Sequence, residues 1–171
     1  MTIEDGYNYW LVGFSLVLAM VASYAALELA GRVSLARGKA RLAWLGCGAI
    51  AMGCGICAMH YVGIFAVTVP ALVSYHLPTV AGSLMAAILA SAVAVFVVSR
   101  AKMDAAHALL GSVSLGGGIA VAHYIGLSAM RGAAKPAYDL GSVALFTVLA
   151  IIVSAIALQL AFRLRDENGV T

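Results

Sequence analysis

Charged side chains are scarce in this 171-residue chain: they make up 10% of it, whereas apolar residues make up 64%. No Asp, Glu, Lys or Arg occurs between Arg41 and Arg100. A typical soluble domain has about 25% charged residues. The uncharged interval is long enough for two membrane-spanning helices and the turn between them. The composition therefore indicates an integral membrane protein rather than a soluble domain.

The usual residues of enzyme active sites are also few. The chain has only seven Asp and Glu residues, and no stretch resembles a nucleophile triad, a phosphate-binding loop or a pair of catalytic carboxylates. The net charge of +3 comes from loop residues and does not argue for nucleic acid. We therefore expect a chain that is not an enzyme by itself and that binds no nucleic acid.

Apolar runs of about 20 residues predict five membrane-spanning helices. The fold class that follows is an all-α, polytopic membrane helix bundle. A turn is expected around Pro70 to Pro78, between the second and third helices. The predicted helices lie near residues 9–30, 42–66, 79–99, 108–130 and 140–162.

Basic residues predict how the chain is oriented in the membrane. Eight of the ten lysines and arginines follow the first, third and fifth helices. Because basic loops stay on the cytoplasmic side, we expect an outside N-terminus and a cytoplasmic C-terminus. The eight residues are Arg32, Arg37, Lys39, Arg41, Arg100, Lys102, Arg163 and Arg165.

A glycine-rich segment with a histidine occurs twice. Residues 52–63 read MGCGICAMHYVG and residues 115–126 read LGGGIAVAHYIG, so a His-Tyr-x-Gly motif recurs after 63 residues. Both copies end helices that are predicted to run outward, and both histidines therefore lie toward the outer membrane face. The motif residues are His60, Tyr61 and Gly63 in the first copy, and His123, Tyr124 and Gly126 in the second.

A second element alternates with this motif. Inward-running helices begin with Tyr and a polar residue and end with Arg, at residues 7–32, 75–100 and 138–163. The alternation predicts one domain over residues 1–171, with repeat units of roughly 7–32, 42–100 and 105–165. The chain thus has three inward helices but only two motif helices.

The two motif histidines are the first candidate functional residues. Glycines share a helical face with His60 and with His123, and small residues allow helices to approach closely, so we expect both imidazoles to face the bundle interior. An imidazole within a membrane needs a polar partner. A single histidine would most simply bond a tyrosine or a carbonyl, but two at one depth favour a metal or cofactor site.

Sulfur-bearing residues near the histidines suggest which metal. Cys57 lies one turn before His60, and Met130 is expected two turns after His123 on the same helical face. Imidazole, thiolate and thioether donors suit copper, particularly Cu(I), better than hard cations. Cys47 and Cys54 share the helix of Cys57, where a disulfide between neighbouring turns is awkward, so free thiols or ligands are expected.

Other polar residues have simpler interpretations. Tyr61 and Tyr124 are interpreted as supporting partners of the histidines, with an interfacial position as the alternative. Met59 lies off the histidine face, where ordinary core packing is an equal alternative. Among the residues that start the inward helices, Asn8 and Asp139 are good N-caps. Pro78 suits the first turn of the third helix. His76 is a poor cap and a minor candidate ligand, and His107 is predicted to lie in a loop.

The sequence resembles the bacterial MHYT domain over its whole length, through residues 59–63 (MHYVG) and 122–126 (AHYIG). This resemblance implies a multi-pass sensor domain of the bacterial inner membrane. Members of the family are proposed to bind copper through the motif Met and His residues and to sense O2, CO or NO. They often precede cytoplasmic domains that make or degrade cyclic di-GMP. Carried over, the resemblance implies Met59, His60 and His123 as ligands.

The chain departs from the family pattern at several positions. Val62 and Ile125 replace the motif threonine, Ala122 replaces the second methionine, and the third motif is missing. The leading hypothesis is therefore a copper-binding membrane sensor with lipids, a diatomic gas and a cytoplasmic output domain as partners. The alternatives are a haem held by His60 and His123, and a structural anchor or small transport bundle.

Overall fold

The computed structural model describes residues 6–67, 74–100, 102, 104–131 and 139–167, with side chains as far as Leu164. Five helices in these ranges are long and apolar enough to cross a membrane. The prediction of an all-α bundle with five spans is confirmed. The helices are α1 (Tyr9–Leu35), α2 (Gly38–Phe65), α3 (Leu77–Val98), α4 (Ala105–Ser128) and α5 (Leu140–Glu167).

The inward helices start as their first residues predict. The Asn8 side chain accepts a hydrogen bond from the Trp10 amide at 3.1 Å, and Asp139 accepts one from the Ser142 amide at 2.9 Å. Pro78 lies in the first turn of α3, where its missing N–H costs nothing. Part of the turn expected around Pro70 to Pro78 lies outside the described residues. Tyr138, the expected first residue of the third inward helix, also lies outside them.

The ends of α4 differ from the prediction. Asp104 caps the helix by accepting a hydrogen bond from the His107 amide at 2.8 Å. The prediction that His107 lies in a loop is therefore wrong, because the capped helix begins at Ala105. That backbone hydrogen bond, and then the one from the His107 side chain, lower the pKa of Asp104. At its other end α4 stops at Ser128.

Backbone pairing joins the start of α1 to the end of α2. Tyr7 and Val67 form an antiparallel bridge, and the Asn8 amide donates to the Ala66 carbonyl at 2.7 Å. This clamp fixes the point at which the first motif helix meets the preceding inward helix.

An equivalent clamp joins the start of α3 to the end of α4. The two-residue strands β1 (Ser74–Tyr75) and β2 (Met130–Arg131) pair antiparallel, and the His76 amide donates to the Ala129 carbonyl at 2.9 Å. Ala129 and Met130 lie 63 residues after the residues that close the first clamp. The repeat in the sequence is thus a repeat of structure.

Glycines set how closely each motif helix packs on the inward helix that follows it. A Cβ added at Gly53 would lie 2.7 Å from the Ile88 Cα, and one at Gly116 would lie 2.5 Å from the Ile151 Cα. Real Cβ atoms do not approach backbone so closely, so these positions require glycine. Both the glycines and their partners are separated by the 63-residue repeat.

A second pair of glycines packs each motif helix on the inward helix that precedes it. A Cβ at Gly55 would collide with the Ala22 side chain, and one at Gly118 with that of Ala90. Each motif helix therefore lies between two inward helices, and contacts both through a Gly-x-Gly sequence. This packing places the two His-Tyr-x-Gly segments at the same end of the bundle.

Candidate functional site

The two motif histidines meet across the α2/α4 boundary. The Nδ1 atoms of His60 and His123 are 3.1 Å apart, and the ring centroids are 4.7 Å apart at an interplanar angle of 71°. Each histidine lies five residues before the end of its helix, which is about 8 Å along the axis. The register of the repeat predicted this shared location.

The His60 ring is fitted against the backbone of α4. A Cβ added at Gly126 would lie 2.7 Å from His60 Nε2 and 3.3 Å from the Tyr61 hydroxyl, so the absence of a side chain at this position makes room for the imidazole. His60 Nε2 is buried and has no hydrogen-bond partner among the described residues. A buried nitrogen without a partner costs free energy, which the packing of the His60 ring against α4 must offset.

Aromatic side chains of α4 and α5 hold His123. Its ring stacks on Phe146 with centroids 4.7 Å apart and an interplanar angle of 30°. Tyr124 contacts both rings edge-on, at 5.2 Å from His123 and 6.0 Å from Phe146. Phe146 therefore connects the histidine pair to α5 by direct contact.

Polar side chains of α2 and α3 form a network beside His60. Ser83 is only 1% exposed; it donates its proton to the Val80 carbonyl at 2.9 Å, and its oxygen lies 3.1 Å from the Tyr61 hydroxyl. Because Ser83 has one proton to donate, Tyr61 is the donor of the second bond. Tyr61 is thus directed at α3, and its ring contacts His60 edge-on at 5.2 Å.

Tyr75 covers this network at the end of the bundle. Its ring packs edge-on against Tyr61 at 5.9 Å and against Phe65 at 5.7 Å. Burial, and then the neighbouring Tyr61, raise the pKa of Tyr75. The phenol therefore remains neutral.

The histidine pair fits a small metal ion. Two nitrogens that bind one ion at about 2.0–2.1 Å are separated by about 2.9–3.3 Å in square-planar or tetrahedral geometry. The Nδ1 separation of 3.1 Å falls in this range. Among the residues that the structure describes, no group of three or more His, Cys, Asp and Glu side chains could hold a metal together. The described residues therefore supply two imidazole donors at this point, and a methionine thioether as a further donor would suit Cu(I).

The same geometry disfavours a haem between the histidines. Ligation by both imidazoles would require the macrocycle to lie between the two rings. His60 and His123 are instead in direct contact, and Gly126 closes the other side of the His60 ring. The helices would have to separate before a macrocycle could enter.

The sulfur and auxiliary candidates are placed less favourably. Met130 belongs to β2, because α4 ends at Ser128; the argument from a shared helical face with His123 was therefore wrong. Met59 is half-buried on α2 and, as the residue before His60, is about 100° around the helix from it. His76 Nδ1 lies 2.8 Å from the Thr79 hydroxyl. Ligation by Met59 or Met130 stays a prediction.

Three residues at the site were missed from the sequence. Ser83 and Phe146 are related by the 63-residue repeat, so that the polar neighbour of Tyr61 corresponds to the aromatic neighbour of Tyr124. Comparing the inward helices at that offset would have identified both. Gly126 was recognised only as a packing residue, although its contact is with the His60 ring.

Comparison with known proteins identifies related sequences. The family model for MHYT, described as a bacterial signalling protein N-terminal repeat, matches residues 1–43, 53–111 and 116–171. The bifunctional diguanylate cyclase/cyclic di-GMP phosphodiesterase MucR of Pseudomonas aeruginosa is 43% identical over 164 residues, which cover 96% of this chain and 24% of MucR.

Two further relatives are also signalling proteins. The cyclic di-GMP phosphodiesterase NbdA of Pseudomonas aeruginosa is 34% identical over 95% of this chain and 21% of its own length. The signaling protein YkoW of Bacillus subtilis is 38% identical over 76% of this chain and 16% of its own length. The chain thus spans about a quarter or less of the length of these relatives. No solved structure matches it.

Proposed function

The chain belongs to the MHYT family of bacterial signalling proteins, and we propose that it is a membrane sensor domain that binds copper at the His60–His123 pair. In this proposal the site lies near the outer face of the bacterial inner membrane. A diatomic gas (O2, CO or NO) or a change of redox state alters the site, and a cytoplasmic domain that makes or degrades cyclic di-GMP receives the signal.

The contact between the two histidines carries the proposal. Their Nδ1 atoms are 3.1 Å apart, and both histidines belong to helices that are apolar enough to span a membrane. Two converging imidazoles in an apolar site are typical of ligands for a soft or borderline metal. Copper bound there would supply an open coordination position for a small gas molecule.

The side chains around the pair have separate tasks in this proposal. Gly126 leaves space for the His60 ring, and Phe146 fixes the plane of the His123 ring by stacking. Tyr75 packs against Tyr61 and Phe65 beside the neighbouring polar network. Ligands held in such fixed orientations bind a metal with less loss of conformational entropy.

Phe146 also supplies a route to the output domain. A change in the position of His123 must move Phe146 or break their stacking, and Phe146 belongs to α5, the last span of this chain. The relatives MucR and NbdA are named as cyclic di-GMP enzymes. We therefore propose that α5 transmits the state of the site to a domain of that class.

Copper retention tests the function directly. The detergent-purified protein is loaded with Cu(I) under anaerobic conditions, and bound copper is measured by elemental analysis. We expect His60→Ala and His123→Ala each to weaken copper binding by more than the 10–100-fold typical of losing a residue that only supports a ligand. Cys57→Ala should have a smaller effect, because the proposed site rests on the two imidazoles.

His76→Ala is the matched control, because His76 is engaged with Thr79. It should retain copper like the parent protein, and circular dichroism should show that all variants keep their helices. Carbon monoxide added to the Cu(I) protein should give an infrared band that His123→Ala lacks. A Soret band in the purified protein would favour haem instead. Parent-like copper binding by both motif variants would contradict the proposal and favour a structural anchor.

A further inference from the structure

A cavity lined by arginines lies at the opposite end of the bundle from the histidine pair. It has a volume of about 440 Å³ and is bordered by the end of α1, the start of α2 and the end of α3. Arg41 and His60 are separated along α2 by about 28 Å at the helical rise per residue. This cavity is therefore distinct from the candidate metal site.

Three arginines converge on this cavity. Arg37, Arg41 and Arg100 line it together with Ser34 and Ser99, and none of the described residues in its wall is acidic. Guanidinium groups are the side chains best suited to bind phosphate through paired hydrogen bonds.

An aromatic ring holds two of these charges in place. The guanidinium carbons of Arg41 and Arg100 lie 5.8 Å and 5.6 Å from the centre of the Phe96 ring, within the range of cation–π contacts. Phe96 comes from α3, whereas Arg41 comes from α2. Packing between α2 and α3 thus positions the Arg41 guanidinium, and the same ring contacts Arg100 in the segment that follows α3.

The first turn of α2 begins beside this cavity. Arg37 occupies the N-cap position and makes no capping hydrogen bond with its side chain, and no acidic residue lies in the first turn. Gly38 has a φ of 57°, a left-handed conformation that glycine adopts readily. The first amides of a helix point toward its N-terminus and attract anions.

We propose that this cavity binds the phosphate of an anionic phospholipid headgroup. The cavity lies where two apolar spans end and a third begins, which is the level of the headgroups in a bilayer. A lipid phosphate is present at that level at high local concentration, whereas a soluble phosphate would have to be bound from bulk solution. The exposed side of Phe96, 39% of whose surface is accessible, offers adjacent apolar surface for the lipid chain.

Binding of short-chain lipids to the detergent-purified protein tests the proposal. Phosphatidylglycerol and phosphatidylcholine with identical chains are compared by native mass spectrometry, and inorganic phosphate is tested by thermal shift. We expect phosphatidylglycerol to bind more tightly than phosphatidylcholine. Arg37→Gln and Arg41→Gln should each weaken phosphatidylglycerol binding by about five-fold, corresponding to about 1 kcal/mol per basic residue.

Lys39→Gln is the matched control, because Lys39 lies in the same loop and has the same charge but does not line the cavity. It should bind like the parent protein. If Arg41→Gln does not fold, Arg37→Gln decides, because Arg37 is exposed. Equal losses in the lysine and arginine variants would overturn the site in favour of non-specific charge. A full thermal shift with inorganic phosphate alone would overturn the assignment to lipid.

Discussion

Gly63 and Gly126 occupy the same position of the repeated motif but have different surroundings. A Cβ at Gly126 would lie 2.7 Å from His60 Nε2, whereas nothing lies within 4 Å of a Cβ at Gly63. The sequence alone predicted that both glycines would serve packing. The structure supports this for Gly126 and not for Gly63, so the two positions form a matched pair for substitution.

Gly126→Ala should impair copper binding at the candidate site. The added methyl group must displace the His60 ring, since the opposing atoms belong to a side chain and not to backbone. Overpacking of this kind typically costs about 1–3 kcal/mol. We expect lower copper retention, measured by elemental analysis, and a lower melting temperature in detergent.

Gly63→Ala provides the control for this substitution. Its Cβ meets open space within helix α2, and alanine is favoured over glycine in a helix by about 0.5–1 kcal/mol. Copper retention and melting temperature should therefore stay at or above those of the parent protein. If both alanine variants lose copper equally, the contact between Gly126 and His60 does not position the ligand.

The histidine register was the most predictable feature of the site. Its 63-residue offset correctly predicted that His60 and His123 share a location. Met130 was misplaced because the prediction extended α4 past Ser128, where the chain turns to pair with β1. A two-residue strand leaves almost no pattern in a sequence, so its effect on Met130 could not have been anticipated.

Each motif helix is fixed between its neighbours by a Gly-x-Gly sequence. In α4, Gly116 packs on the backbone of Ile151 in α5, and Gly118 packs on Ala90 in α3. Gly117 lies between them and has no atom within 4 Å of its Cβ position. Three consecutive glycines thus have three different surroundings. Sequence periodicity predicted only that small residues lie on one face of the helix.

Gly116→Ala should destabilise the bundle more than Gly117→Ala. The Cβ at Gly116 would meet Ile151 backbone at 2.5 Å, and backbone cannot move aside without separating α4 from α5. We expect Gly116→Ala to cost about 1–3 kcal/mol, as overpacking does, seen as a lower melting temperature and yield. Gly117→Ala should be neutral or slightly stabilising. Equal behaviour of the two variants would contradict the assigned packing.

The existence of the helices was easier to predict than their ends. Five apolar runs predicted five spans, since only helices satisfy backbone hydrogen bonds across a membrane in a chain of this kind. The start of α4 was placed three residues late because Asp104 was not recognised as its cap. The sequence also could not predict which neighbouring helix each glycine contacts, because hydropathy does not distinguish one neighbour of a helix from another.

The two ends of the bundle differ in their chemistry. The histidine pair and its aromatic cover lie at the C-terminal ends of α2 and α4, and the arginine-lined cavity lies at the start of α2. The eight basic residues that follow the first, third and fifth spans belong to the arginine end. Because basic loops remain in the cytoplasm, the histidine pair should face outward.

Cysteine labelling in whole cells tests this orientation. In a variant in which the three native cysteines are replaced by serine, a probe cysteine is introduced at Lys39 or at Ser74, both of which are exposed. Lys39 is preferred to Gly38, whose positive φ would strain a cysteine. A membrane-impermeant maleimide should label Ser74→Cys in intact cells, and Lys39→Cys only after permeabilisation. The reverse pattern would place the histidine pair at the cytoplasmic face and contradict the predicted orientation.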